Sequence, residues 1–167
     1  MGTRAEGYYL AEEYAMSSGV GVSEKRLPSF DKALLDANVG NYNLVRLSSI
    51  LPAHCKRVNI NDIQKHIPEG SLLPTAYATI SCSEYGQKLA SAIGVGYPAD
   101  DSKVGVIMEY SNTGITGKQA EETIREMVRE AFWERRWELD RIEVISAEAV
   151  VEKEGSTVST FACIAEW

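Results

Sequence analysis

The sequence predicts an α+β fold, and three features carry that reading. Segments of β-type composition come in groups instead of alternating strictly with helices, which argues against a parallel βαβ arrangement. Two stretches repeat their apolar residues at helical spacing. The 167 residues suffice to bury one core. No repeat, low-complexity tract or long linker divides them, so residues 1–167 read as a single domain.

Taken in order, residues 7–15 (GYYLAEEYA) predict a short strand, with a loop around Gly19–Gly21. Ser29 then precedes FDKALLDAN, in which Phe30, Ala33, Leu34 and Ala37 share a face. Ser29 is the expected N-cap, and Asn38 and Gly40 are stop signals. Residues 43–51 (NLVRLSSIL) read as one strand ended by Pro52. Strand composition recurs over 72–82, 88–97 and 104–110, with turn residues between. The helix after Gly117 is the clearest element, with Ala120, Ile124, Met127, Val128, Ala131 and Phe132 on one face and charges on the other. Thr116 and Gln119 have the spacing of a capping box. Two last strands, near 142–151 and 157–166, are expected to form a hairpin around Glu154-Gly155. The total is roughly six strands and two helices.

The net charge of -7 disfavours nucleic acid and anionic membranes as partners, because both call for a basic surface. It is compatible with a cationic substrate. Cys55, Cys82 and Cys163 are far apart in sequence, without the short spacing of a zinc or redox site, and read as small core residues. With no long apolar segment and no signal-peptide pattern, the expectation is a cytoplasmic protein with reduced thiols. His54 and His66 are widely spaced, so no metal is expected. Gly19-Val20-Gly21 and Gly94-Val95-Gly96 are too short for nucleotide loops and read as turn or packing glycines. Trp133 and Trp137, four apart, read as packing residues, and Glu134-Arg135-Arg136 as a solvated face or an interface.

The chemistry-bearing feature is Ser48-Ser49 in its setting, GNYNLVRLSSILP (residues 40–52). A serine pair alone says almost nothing, since serine is common. With SFDKALLDANVGNYN upstream, LLPTAYA and GVIMEY downstream, and the late REMVREAFWERRWELDRIE, however, the chain resembles the pyruvoyl-dependent arginine decarboxylases over most of its length.

That resemblance implies a proenzyme that cuts itself between Ser48 and Ser49 into a 1–48 β chain and a 49–167 α chain. The Ser49 hydroxyl attacks the Ser48 carbonyl to give an ester. Elimination leaves dehydroalanine at position 49, and hydrolysis converts it to a pyruvoyl group with loss of ammonia. Such a step relies on proximity. The covalent, self-generated pyruvoyl group then stands in for pyridoxal phosphate, taking the substrate amine as a Schiff base and accepting electrons as carbon dioxide leaves. The implied reaction converts L-arginine to agmatine and carbon dioxide.

The resemblance also assigns residues. Glu109 is the implied catalytic acid that protonates carbon after decarboxylation. Its apolar neighbours Val106-Ile107-Met108 would favour a neutral carboxyl, whereas by spacing alone it is a glutamate at a strand end. Asp31 is implied to hold the substrate guanidinium through paired charge-assisted bonds; otherwise it is a carboxylate near a helix N-terminus, stabilised by the dipole. Leu34, Gly40, Tyr42 and Ile50 would line the pocket, partly through backbone atoms, beside the new Ser48 carboxylate. Asn43 has either an orienting role or the role of a buried, hydrogen-bonded strand residue. The fold implied is a four-layer αββα sandwich of mainly antiparallel sheets, as in the pyruvoyl-dependent histidine and arginine decarboxylases. The implied assembly is a homotrimer with active sites between protomers. The alternatives are a pyruvoyl decarboxylase of another amino acid, histidine among them, and an unprocessed, non-catalytic trimeric homologue.

Overall fold

The computed structural model describes residues 3–5 and 8–167. The strand expected over 7–15 therefore begins, at Gly7, outside the described residues. In chain order, β1 (Thr3–Ala5) and β2 (Tyr8–Leu10) form a small antiparallel pair, followed by β3 (Glu13–Ser23) and α1 (Arg26–Asp36). Three short strands come next, β4 (Asn43–Arg46), β5 (Ile50–Leu51) and β6 (Lys56–Arg57). A 3-10 turn at Ile60–Asp62 leads into the single-turn α2 (Ile63–His66). The long elements complete the chain: β7 (Leu72–Cys82), β8 (Lys88–Pro98), β9 (Gly105–Thr113), α3 (Gly117–Arg135), β10 (Leu139–Val150) and β11 (Thr157–Glu166). The fold class is α+β, as the grouped strands predicted. Among the described residues no helix is long and apolar enough to cross a membrane.

The two larger sheets have the orders β4-β7-β11-β3-β6 and β10-β8-β9-β5. Pairing is antiparallel except for β3 with β6 and β4 with β7. Tyr14, Met16, Leu51, Ala76, Ile93, Val95, Ile107, Ala162 and Ile164, contributed by both sheets, form one buried cluster. α1 covers the other side of the five-stranded sheet, with Ala33 and Ala37 packed near Phe161 and Cys163. α3 covers the four-stranded sheet through Ala120, Ile124, Val128 and Phe132. Its capping box is present: the Gln119 amide donates to Thr116 Oγ1, and the Thr116 amide donates to Gln119 Oε1.

Several expectations need correction. First, Gly19–Gly21 is not a loop, because β3 runs straight through it. The glycines let α1 lie on the strand: a Cβ at Gly21 would sit 2.0 Å from Ser29 O, and one at Gly19 2.3 Å from Ala33 O. Second, α1 starts at Arg26, with Lys25 as N-cap and Pro28 tolerated in the first turn. Ser29 is fully buried inside the helix, its hydroxyl donating to Arg26 O (2.8 Å) and lying 2.7 Å from Ser159 Oγ. Third, residues 43–51 are not one strand, since β4 belongs to the five-stranded sheet and β5 to the four-stranded one. Fourth, β10 and β11 do not pair. All ten residues of β11 are buried, so it takes the centre of the five-stranded sheet, while β10 lies at an edge of the other, against β8. The two aromatic residues at the end of α3 also part company. Arg136 turns the chain with φ of 55°, Trp137 folds back edge-on to Phe132, and Trp133 is 81% exposed instead of packed.

Parity along β11 places Glu166 on the same side as Ala162 and Ile164, in the space between the sheets. It is 5% exposed, its Oε1 accepts no hydrogen bond among the described residues, and burial pushes its carboxyl up to about 7.

Two outcomes follow from this packing. Gly21→Ala forces a methyl group into the α1 backbone, and denaturant unfolding is expected to show a loss of about 3 kcal/mol. For Glu166, the folded chain keeps a proton that the unfolded chain releases between the ordinary value of 4.5 and about 7. Stability therefore falls as pH rises through that window. Glu166→Gln should match the parent near the acid end and exceed it above the window by on the order of 2–3 kcal/mol, read from denaturant melts at both ends.

Candidate active site

The Ser48–Ser49 peptide lies where the chain passes from one sheet to the other. β4 ends with Arg46 paired to Thr75, and the Leu47 amide donates to Thr75 O at 3.0 Å. The chain then enters the four-stranded sheet, where the Ile107 amide donates to Ser49 O at 2.7 Å and Ile50 pairs with Val106. Leu47 and Leu51 both pack against the cluster between the sheets, so they anchor the two ends of the span. Small polar residues fill the gap: Ser48 is exposed and Ser49 half-buried. Among the described residues neither serine hydroxyl is engaged in a hydrogen bond. Pro52 offers no amide hydrogen and closes β5.

Glu109 stands on β9 two residues beyond Ile107, so its side chain shares the face that Ile107 turns toward the other sheet. There it meets a cation. Arg46 Nη2 donates to Glu109 Oε1 and also to Tyr77 O, the latter at 3.0 Å. The guanidinium lies over the Tyr77 ring, 4.4 Å from its centroid. Burial works against its charge, but Glu109 and Tyr77 outweigh that and hold the Arg46 pKa above its ordinary value. The second oxygen, Glu109 Oε2, is buried and, among the described residues, accepts no hydrogen bond. The sequence pattern set Glu109 among apolar neighbours; the structure sets a guanidinium beside it. Sequence reasoning missed both Arg46 and Tyr77. The available signal was a lone arginine in an apolar strand, two residues before Ser48.

The remaining candidates are not all gathered at this crossing. Asp31 is exposed on α1 and, among the described residues, has no hydrogen bond or ion pair. Because α1 begins at Arg26, Asp31 falls in the second turn, beyond the reach of the first-turn dipole. Leu34 is half-buried on the same helix, packed at the margin of its core. Gly40 precedes β4 and, with Leu35, Asn38, Asn41, Tyr42, Gln64 and Glu69, borders a small cleft. Tyr42 turns its ring inward, 8% exposed, with its hydroxyl 3.2 Å from Ile67 O, so backbone atoms are what it can offer a ligand. Asn43 is exposed, not buried, and its Nδ2 donates to Gly70 O at 2.7 Å, tying β4 to the turn before β7. Ile50 is 39% exposed beside Ser49. Among the described residues no hydrogen bond, ion pair or ring contact joins Asp31, Leu34, Gly40 or Tyr42 to Ser48, Ser49, Ile50 or Glu109. A chain of ring contacts does lead from α1 toward the crossing: Phe30 on Phe161 (6.1 Å), Phe161 on Tyr77 (5.4 Å), and Tyr77 under Arg46.

Among the described residues the arrangement thus offers a serine hydroxyl without a hydrogen bond next to a peptide carbonyl outside both ladders, a carboxyl with one oxygen on Arg46 and the other buried, and an unpaired carboxylate on α1. Comparison with known proteins places nearly the whole chain in a family. The family model described as "Pyruvoyl-dependent arginine decarboxylase" matches residues 13–166. A pyruvoyl-dependent arginine decarboxylase of Methanocaldococcus jannaschii is 41% identical over 160 residues, covering 96% of this chain and 92% of its own. Its counterpart in Pyrococcus abyssi is 45% identical over 127 residues, covering 76% and 78%. One from Methanococcus aeolicus is 38% identical over 160 residues, covering 96% and 92%. On its sequence and the span of these matches, the chain belongs to the pyruvoyl-dependent arginine decarboxylase family.

Proposed function

We propose that the chain is a self-processing decarboxylase that converts L-arginine to agmatine and carbon dioxide. The observation that carries this reading is the crossing itself. A Ser-Ser peptide held at both ends by different sheets, with Glu109 two residues from the amide that grips Ser49 O, is what self-cleavage and later proton delivery both require. The Ser49 hydroxyl adds to the Ser48 carbonyl and the peptide nitrogen leaves, giving an ester. Loss of the Ser49 α-hydrogen expels the Ser48 carboxylate, and water then replaces the nitrogen at position 49, releasing ammonia. The products are residues 1–48 and residues 49–167.

The residues at the crossing fit the keto group so formed. Position 49 is half-buried, Ile50 and the new Ser48 carboxylate flank it, and Glu109 Oε2 is a buried acceptor without a hydrogen-bond partner among the described residues. The pyruvoyl group supplies the electron sink for an amine-bearing substrate. Glu109 gives a proton to the carbon vacated by carbon dioxide. Asp31, exposed and unpaired, receives the substrate guanidinium through two parallel bonds, and Leu34, Gly40, Tyr42 and Ile50 border the rest of the pocket, with Asn43 orienting the segment through the 70-turn.

We read the assembly as a homotrimer with sites between protomers. Two features support this: among the described residues no contact joins Asp31 and its neighbours to Ser49 within one chain, and the apolar side chains of Val45 and Leu72 are exposed along the β4–β7 pairing. α1 outside one sheet, α3 outside the other and a shared core between them support the four-layer αββα reading of a single domain spanning 1–167. The free thiols of Cys55, Cys82 and Cys163 agree with a cytoplasmic protein.

Release of labelled carbon dioxide from a panel of amino acids tests the reading, with arginine expected to dominate. Equal or faster release from histidine would reassign the substrate. Ser49→Ala should run as one uncleaved band on denaturing electrophoresis and release none. Asp31→Ala should lower kcat/KM for arginine by about 1.5–3 kcal/mol, roughly tenfold to a hundredfold, while leaving cleavage intact.

A further inference from the structure

We infer that Arg46 is a positioning residue for Glu109, fixing the carboxyl through one oxygen so that its proton reaches the correct atom. This rests on the reading of Glu109 as the proton donor. β4 stops pairing with β7 at Arg46, which leaves the edge of β7 uncovered at Tyr77. One nitrogen, Arg46 Nη2, closes that edge by donating to Tyr77 O and also donates to Glu109 Oε1; its two hydrogens suffice for both. The guanidinium plane rests on Tyr77, whose ring is itself backed by the fully buried Phe161. The clamp is therefore built on core packing, although the Arg46 side chain is 53% exposed.

A planar guanidinium can face a ring, a carbonyl and a carboxylate together, whereas a lysine ammonium can supply the charge but not the plane. With Oε1 held on the guanidinium and Oε2 packed inside the protein, the carboxyl of Glu109 cannot swing freely, so the direction in which it delivers its proton is fixed. That proton passes to the substrate carbon, bonding to the electron pair that carbon dioxide left behind. The carboxylate that remains stays paired with Arg46 until water reprotonates it.

If the clamp is removed, the proton can instead reach the carbon of residue 49 that had carried the keto oxygen. Water then releases the substrate as an aldehyde, its nitrogen stays on residue 49, and the α chain ends in alanine instead of pyruvoyl. Arg46→Gln should therefore be cleaved like the parent, keep KM near the parental value and lose about 10- to 100-fold in kcat. After turnover, intact mass of its 49–167 fragment should show a rising share of alanyl ends. Arg46→Lys should fall between the two. A kcat and end-group mass unchanged in Arg46→Gln would overturn the proposal, and so would an uncleaved Arg46→Gln chain, since Arg46 would then serve self-cleavage. Glu109→Gln separates the two levels: if it keeps parental kcat, the donor reading itself fails, and if it is impaired while Arg46→Gln is not, only the role of Arg46 falls.

Discussion

Within a few residues the backbone leaves one sheet and joins another, and the site depends on that passage. Thr75 O holds the chain at Leu47, and the Ile107 amide holds it at Ser49. Between those bonds the peptide belongs to neither ladder. A peptide inside a sheet has its carbonyl committed and its neighbours fixed in extended geometry, whereas one suspended between two sheets is both located and chemically accessible. The same passage brings the end of β4 against β9, which is why Arg46 and Glu109 meet although they are far apart in sequence.

The rest of the fold keeps the two anchor points in register. Leu47 and Leu51 pack into the cluster between the sheets, so the crossing cannot shift without opening that core. β11, buried along its whole length, pins β7 on one side and β3 on the other. α1 lies against β3 at a distance that only glycine permits, and its Phe30 begins the line of rings that ends beneath the Arg46 guanidinium. Packing on the far side of one sheet thereby stiffens a charged contact on its near side. Glu166 is the exception to this economy, a carboxyl buried among apolar residues with no hydrogen-bond partner for one oxygen among the described residues.

Local periodicity was legible where it decides structure by itself. The apolar face of α3, its capping box, and the strands β7, β8 and β9 follow from residue pattern, because helix and strand repeats are set by the residues that repeat them. Partnership was not legible. Residues 142–151 and 157–166 look like a hairpin because they are adjacent, yet burial on both faces sends the second into the other sheet. NLVRLSSIL keeps a strand-like composition across a point where the chain changes sheets, and nothing local marks the change. Ser29, which reads as the N-cap of α1, lies inside it, because Pro28 is tolerated in the first turn. For the site, the serine pair carried no signal beyond its family setting, and that setting supplied the roles of Glu109 and Asp31. Arg46 went unread because its value depends on what lies across the sheets from it.

The most direct measurement is the intact mass of the purified, matured protein together with its reaction toward hydroxylamine. The account predicts two fragments, with the longer starting at position 49, lighter by the nitrogen lost as ammonia, and carrying a carbonyl that hydroxylamine traps. A single chain, or a longer fragment beginning with ordinary serine and inert to hydroxylamine, would contradict it.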